Sequence, residues 1–197
     1  MTQHVLWALA AFAFVTSITP GPNNLMLMAS GANFGLRRTL PHMFGVALGF
    51  GAMVVVLGLG LDRIIAQSPL LAQALKWVSL AYVIWLAARI ARSGAPEAGG
   101  PVRRPMGFLA ACAFQWVNPK AWMMALGALS AYSAGAGGVA GVALVFVLVN
   151  LPSVAVWAAM GQGLQGFLQS PVRLRVFNLT MAGLLVLSML PLSLIHI

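Results

Sequence analysis

Acid is what this chain lacks. Among 197 residues only Asp62 and Glu97 carry a carboxylate side chain, against nine Arg and two Lys, for a formal net charge of +9. Charged residues make up 7% of the chain, where a soluble domain carries roughly 25%, so an ordinary soluble domain is excluded. With so few acids there is no carboxylate cluster and no Ser-His-Asp set, which a polytopic membrane enzyme would need. The single cysteine, Cys112, excludes an intrachain disulfide and reads as a small buried side chain. Neither a cofactor nor a metal is implied.

What is present is apolar. Hydrophobic residues make up 61% of the chain and the mean hydropathy is +0.94. Spans need about 20 apolar residues each, so the length allows five to seven. Charged residues mark the boundaries, and the turn-like "SAGAGG" at 133–138 divides the longest run. The reading is an all-α integral membrane protein with six transmembrane helices, at about 4–34, 39–61, 70–92, 106–131, 138–165 and 174–194. Helices follow because a lipid-spanning chain must satisfy its own backbone, and the runs are too long for barrel strands. All 197 residues form one transmembrane domain, with the hydrophilic linker "SGAPEAGGPVRRP" at 93–105 between halves at about 1–95 and 103–195.

The basic residues fall in short gaps between apolar runs. That is the pattern of orientation signals in a lipid bilayer rather than of nucleic-acid binding. The loops after spans one, three and five hold Arg37, Arg38, Arg89, Arg92, Arg103, Arg104, Arg173 and Arg175, against Arg63 and Lys76 on the opposite side. The crowded side is therefore expected in the cytoplasm, with both termini outside. Residues 1–19 lack a basic n-region and an A-x-A-like site, so they read as the start of span one rather than a signal peptide. Trp7 and Trp77 fall near outer span ends as interface anchors. In the tail "PLSLIHI", Pro191 comes early and no polar anchor follows, so whether 191–197 is the natural C-terminus stays open.

Two spans contain breaks. Span one carries "TPGPNN", with Pro20, Gly21, Pro22, Asn23 and Asn24; span four carries "QWVNPKAW", with Gln115, Asn118, Pro119 and Lys120. Proline has no N–H, and its ring clashes with the carbonyl one turn back. Each half of the chain thus starts with a helix broken at an Asn-flanked proline. Three spans per half force the halves to insert with opposite orientation. Two inverted three-helix repeats with paired broken helices point to a transport site between them. Freed carbonyls suit a cation and half-helix N-termini an anion, and a zwitterionic amino acid offers both groups.

Lys120 lies about 14 residues into span four, roughly 21 Å at 1.5 Å per residue. A charge at that depth is functional by default; the competing reading is a side chain that snorkels outward. It is expected to face a substrate carboxylate or to exchange a proton. The candidate substrate-binding set is therefore Pro20, Gly21, Pro22, Asn23, Asn24, Gln115, Asn118, Pro119 and Lys120.

Other features carry less. "GQGLQG" at 161–166 imitates a dinucleotide fingerprint, but no strand precedes it and no acid follows. "NLT" at 178–180 enters the last span and is set aside as a glycosylation site. Gly31/Gly35, Gly45/Gly49 and Gly137/Gly141 are small-residue pairs that suit a homodimer or, the preferred reading, packing within one chain. Asn150 and Pro152 form a further polar kink that either lines the pathway or relieves packing. His42 sits near the inner mouth as a helix-start residue, or less readily as a proton relay. Trp116 and Trp122 flank the second break and either wall the site or offer a ring face to an ammonium.

"TPGPNN", "GLRRTLPHMFGVALGF" and "NPKAW" together resemble the lysine exporter superfamily, over nearly the whole chain. The resemblance implies export of amino acids from the bacterial cytoplasm across the inner membrane, coupled to the proton gradient. Many members have Asp after "PGP"; this chain has Asn23, similar to the cysteine and O-acetylserine exporter branch. That implies a small neutral amino acid, in line with the absence of any intramembrane carboxylate to hold a cationic side chain. The alternative is a membrane assembly or scaffold subunit, which would tolerate Leu in place of Asn in both breaks.

Overall fold

The computed structural model describes residues 3–61, 68–93 and 104–188, and all regular structure among them is helical. The elements are α1 (Gln3–Ile18), α2 (Pro22–Phe34), α3 (Leu36–Val56), α4 (Pro69–Ala91), α5 (Phe108–Gln115), α6 (Pro119–Tyr132), α7 (Gly138–Gly163) and α8 (Pro171–Leu187). A π turn at Leu57–Leu61 extends α3, and a 3-10 turn at Phe167–Gln169 precedes α8. Asp62, Arg63, Glu97, Arg103, most of the 93–105 linker and the 191–197 tail lie outside the described residues.

Both expected breaks are present. Span one is two helices, α1 and α2, bent by 56°. Span four is α5 and α6, parted by Trp116–Asn118. In each, the second half-helix starts with proline at its first position, Pro22 in α2 and Pro119 in α6, where the missing N–H costs nothing. By length and apolarity α3 with its π turn and α7 can cross a membrane, and the bent α1–α2 pair makes a third span if counted as one. Leu59, Leu70 and Leu109 are 80%, 82% and 78% exposed. Side chains of that kind over so much of the surface suit lipid, not water.

Packing is organised by α2 and α3, which both lie against α7, while α3 also takes α5. Glycine makes these approaches possible. A Cβ on Gly31 would lie 2.0 Å from the carbonyl oxygen of Ala158, and one on Gly161 would lie 2.0 Å from that of Met28. Gly45 and Gly49 do the same for α3 against α5, with Phe108 and Cys112 as neighbours. Gly31 and the Gly45/Gly49 pair are thus engaged inside one chain, as preferred from the sequence.

"GQGLQG" has a structural role. Helix α2 ends at Gly35, which has φ +80°, and α3 begins at once. The Gln165 amide donates to the carbonyls of Gly31 (3.2 Å) and Ala32 (3.3 Å), and Gln162 accepts from the N–H of Leu36. One motif at the end of α7 therefore serves a carbonyl at the end of α2, Ala32, and an N–H at the start of α3, Leu36.

Replacing Gly161 by Leu should separate α7 from α2. The opposing atoms are backbone and cannot step aside, so the loss should be at least the ~1–3 kcal/mol of ordinary overpacking. Thermal unfolding in detergent checks this: the melting temperature should fall by several degrees or more.

Candidate functional site

The chain between α1 and α2 has to find new donors for the carbonyls its prolines orphan. In an unbroken helix the N–H of residue 20 would serve Thr16, that of residue 22 would serve Ile18, and both are missing. Every exposed carbonyl has a replacement. Val15 keeps its ordinary helical bond from the N–H of Thr19 (3.2 Å), and Thr16 takes the hydroxyl of Thr19 (3.2 Å). Asn24 donates its amide to the carbonyls of Ser17 and Thr19, both at 2.8 Å. The Trp157 indole Nε1–H, from α7, donates to Ile18 (2.9 Å).

Lys120 completes the set from the other break. Its Nζ donates to the Thr19 carbonyl (2.6 Å), the Thr19 hydroxyl (3.0 Å) and the Pro20 carbonyl (3.3 Å). An ammonium has three donors, and here each finds an oxygen. Among the described residues no carboxylate neutralises it. The partner is instead the negative end of the α1 dipole. Gly21 makes room: a Cβ there would lie 2.6 Å from Cδ of Lys120.

The second break closes by tighter turns. Trp116, Val117 and Asn118 donate their N–H groups to the carbonyls three residues back. Asn118 then caps α6, its side chain accepting from the N–H of Lys120 (3.2 Å). The two breaks are also joined by a reciprocal amide pair. Asn23 Nδ2 donates to Gln115 Oε1 (2.8 Å) and Gln115 Nε2 donates to Asn23 Oδ1 (3.2 Å).

Where these parts meet lies a small chamber. Thr16, Ser17, Gly21, Asn23, Asn24, Asn118, Lys120 and Asn150 give it a polar wall; Phe50, Ala121, Met124 and Val154 give it an apolar one. Its volume is about 20 Å³, room for about one water and not for an amino acid. Asn150 donates to Ser17 Oγ (3.1 Å), while its Oδ1 is buried with no partner. That is one unused acceptor on the chamber wall.

Of the residues singled out from the sequence, Gly21, Asn23, Asn24, Asn118 and Lys120 line the chamber. Gln115, fully buried, reaches it only through Asn23. Pro20, Pro22 and Pro119 act through the backbone, and Pro20 also lends a carbonyl to Lys120. One detail differs from expectation: the freed carbonyls, assigned to a substrate's ammonium, are already filled by Lys120, Asn24 and Trp157. The tryptophans at the second break differ too. Trp122 donates to the Trp116 carbonyl (2.9 Å) with the rings edge to face, and neither lines the chamber. Ser17, Thr19 and Trp157 were missed. A hydroxyl or indole in an apolar run carries no signal of its own; only counting the carbonyls that two prolines orphan would have asked for them.

The LysE type translocator family profile matches residues 14–193 of the chain. A cysteine/O-acetylserine efflux protein of Klebsiella pneumoniae is 33% identical over 129 residues, covering 66% of this chain and 65% of the relative. Proteins of the same name from Escherichia coli K12 and Salmonella typhi are 35% identical over 130 and 131 residues, covering 66% of each chain. The matched region thus spans just under two thirds of these relatives' length. No solved structure matches the chain significantly.

Trp157→Phe deletes one N–H from a carbonyl that has no other donor here. It should destabilise the protein by roughly 1–3 kcal/mol. Asn24→Leu, which uncovers Ser17 and one bond to Thr19, should cost more. Melting temperatures of the purified variants give the order; an unchanged Trp157→Phe would mean the Ile18 carbonyl finds water instead.

Proposed function

This chain belongs to the LysE type translocator family, and from that premise we propose that it exports small neutral amino acids from the cytoplasm, in exchange for protons. It is a multi-pass membrane protein, and the family and the efflux proteins it resembles point to a transporter rather than an enzyme. Cysteine and O-acetylserine are the substrates named for those relatives, and molecules of that size and charge are the ones proposed for this chain. Its place is the bacterial inner membrane, as one domain of six spans in two inverted halves, with both termini outside.

One observation carries the reading: the ammonium of Lys120 occupies the carbonyls of the opposite break. A substrate's ammonium suits the same oxygens, so the two compete. When Lys120 gives its proton to the cytoplasm, the neutral amine holds those oxygens weakly and the substrate's ammonium takes them, with Asn150 Oδ1 as a further acceptor. The chamber must widen for this, by rocking of one half against the other. Reprotonation of Lys120 from outside returns it to the carbonyls and expels the substrate. Each cycle moves one substrate out and one proton in. Asn23 and Gln115 hold the breaks in register, and the N-termini of α2 and α6, with Asn118, face the substrate's carboxylate.

Efflux from loaded cells or vesicles, measured across the common amino acids, tests the reading. Small neutral substrates should leave, and a protonophore should stop them; equal flux without a gradient would indicate a passive channel. Lys120→Arg separates holding from exchange. A guanidinium can bind the same carbonyls but does not lose its proton. The variant should fold normally yet lose more than about tenfold of its export. Wild-type export by Lys120→Arg would remove proton exchange from that side chain.

A further inference from the structure

The chamber is too small for an amino acid, but a second cavity is not. It measures about 520 Å³, within the range of pockets that hold small molecules. It opens between α2, α3, α4 and the segment leading into α5, and Arg89, Arg92 and Arg104 line it. Arg92 already has a partner; for Arg89 and Arg104 no carboxylate among the described residues balances the charge. All three are among the eight arginines that orient the chain toward the cytoplasm, and the fold gathers them around one opening. Arg89 is held in place, its guanidinium stacked 4.9 Å from the Trp85 ring.

His42 supplies an independent observation. It lines the same cavity, is only 2% exposed, and neither ring nitrogen has a partner. A buried imidazole with both nitrogens unused in a cavity wall is a costly arrangement unless a ligand completes it. The other polar groups on this wall are engaged: Ser30 with Thr39 (2.8 Å) and Asn33 with Asn178 (2.9 Å). Asn23 lines the chamber and Met26 lines this cavity, less than one turn apart on α2.

We propose that this vestibule is the loading site for the substrate, where Arg89 and Arg104 receive the α-carboxylate of a zwitterionic amino acid and His42 gives it a hydrogen bond. The proposal rests on the exporter reading and adds where the substrate is held before the chamber opens. Guanidinium pairs with carboxylate in a charge-assisted, geometrically specific way. The site therefore selects for a free carboxylate, and the amino-acid methyl ester, which keeps the ammonium and loses the anion, should be a poor ligand.

The test is uptake of radiolabelled O-acetylserine or cysteine into inside-out vesicles by the full chain, with the unlabelled acid or its methyl ester as competitor. Against wild type the ester should compete about tenfold more weakly than the acid. In Arg89→Gln/Arg104→Gln the KM should rise about tenfold, and the preference for acid over ester should collapse. Arg89→Lys/Arg104→Lys should recover part of it, which damage to the fold would not allow. His42→Phe, which fills the same space without a donor, should weaken the acid and leave the ester unchanged. If wild type transports but the glutamine variant keeps both KM and preference, the vestibule is not the loading site, while the exporter reading stands. If the variant's defect appears in phosphatidylglycerol vesicles and not in phosphatidylcholine, the arginines hold a lipid headgroup and the proposal is overturned. If wild type transports neither substrate nor any other amino acid, both readings fall.

Discussion

The ammonium of Lys120 resting on the open end of α1 is the contact on which the other polar contacts of the site turn. It meets two needs at once. A helix snapped by Pro20 and Pro22 has carbonyls to satisfy, and a lysine deep in an apolar chain has a charge to satisfy. With no acid among the described residues, each is the natural partner of the other. The geometry of both breaks follows. Pro119 starts α6 so that Lys120 sits in its first turn, Asn118 fixes that turn, and Gly21 leaves the space the lysine stem needs.

Two kinds of contact divide the molecule. Between α2 and α7, and between α3 and α5, backbone meets backbone across glycine, and the Gln162–Gln165 clamp adds hydrogen bonds at the α2–α3 elbow. Such surfaces have one good fit and resist sliding. Across the chamber, by contrast, the polar contacts between the two breaks and α1 run through single side chains: Lys120, Asn24, and the Asn23–Gln115 pair. These can exchange partners one at a time. The close-packed surfaces make a frame, and the side-chain bridges are where the frame can be reset.

Much of this was legible in the sequence, and the reason is physical. A proline inside an apolar run interrupts the hydrogen-bond ladder, and polar residues beside it can serve the groups it frees. So "TPGPNN" and "NPK" declared both breaks, and Lys120 beside the second is the residue that reaches the first. The helices fall close to the expected spans, with α4 at Pro69–Ala91 against 70–92 and α7 at Gly138–Gly163 against 138–165. What stayed hidden depends on distance across the fold. Trp157 lies 139 residues from the carbonyl it serves, and Asn150 lies 133 from Ser17. "GQGLQG" looked empty because its role is to hydrogen-bond someone else's helix ends. The gathering of Arg89, Arg92 and Arg104 was invisible as a cavity, since their spacing along the chain reads equally well as an orientation signal.

The prolines have one more consequence, for anyone watching this protein move. From residue 20 to residue 22 only Gly21 has a backbone amide proton, so the hinge is nearly silent in isotope exchange and in amide spectra. The indole of Trp157 speaks in its place. Its N–H ends on the Ile18 carbonyl at the lip of the hinge, and tryptophan labelling would turn that proton into a local gauge of whether the joint is shut.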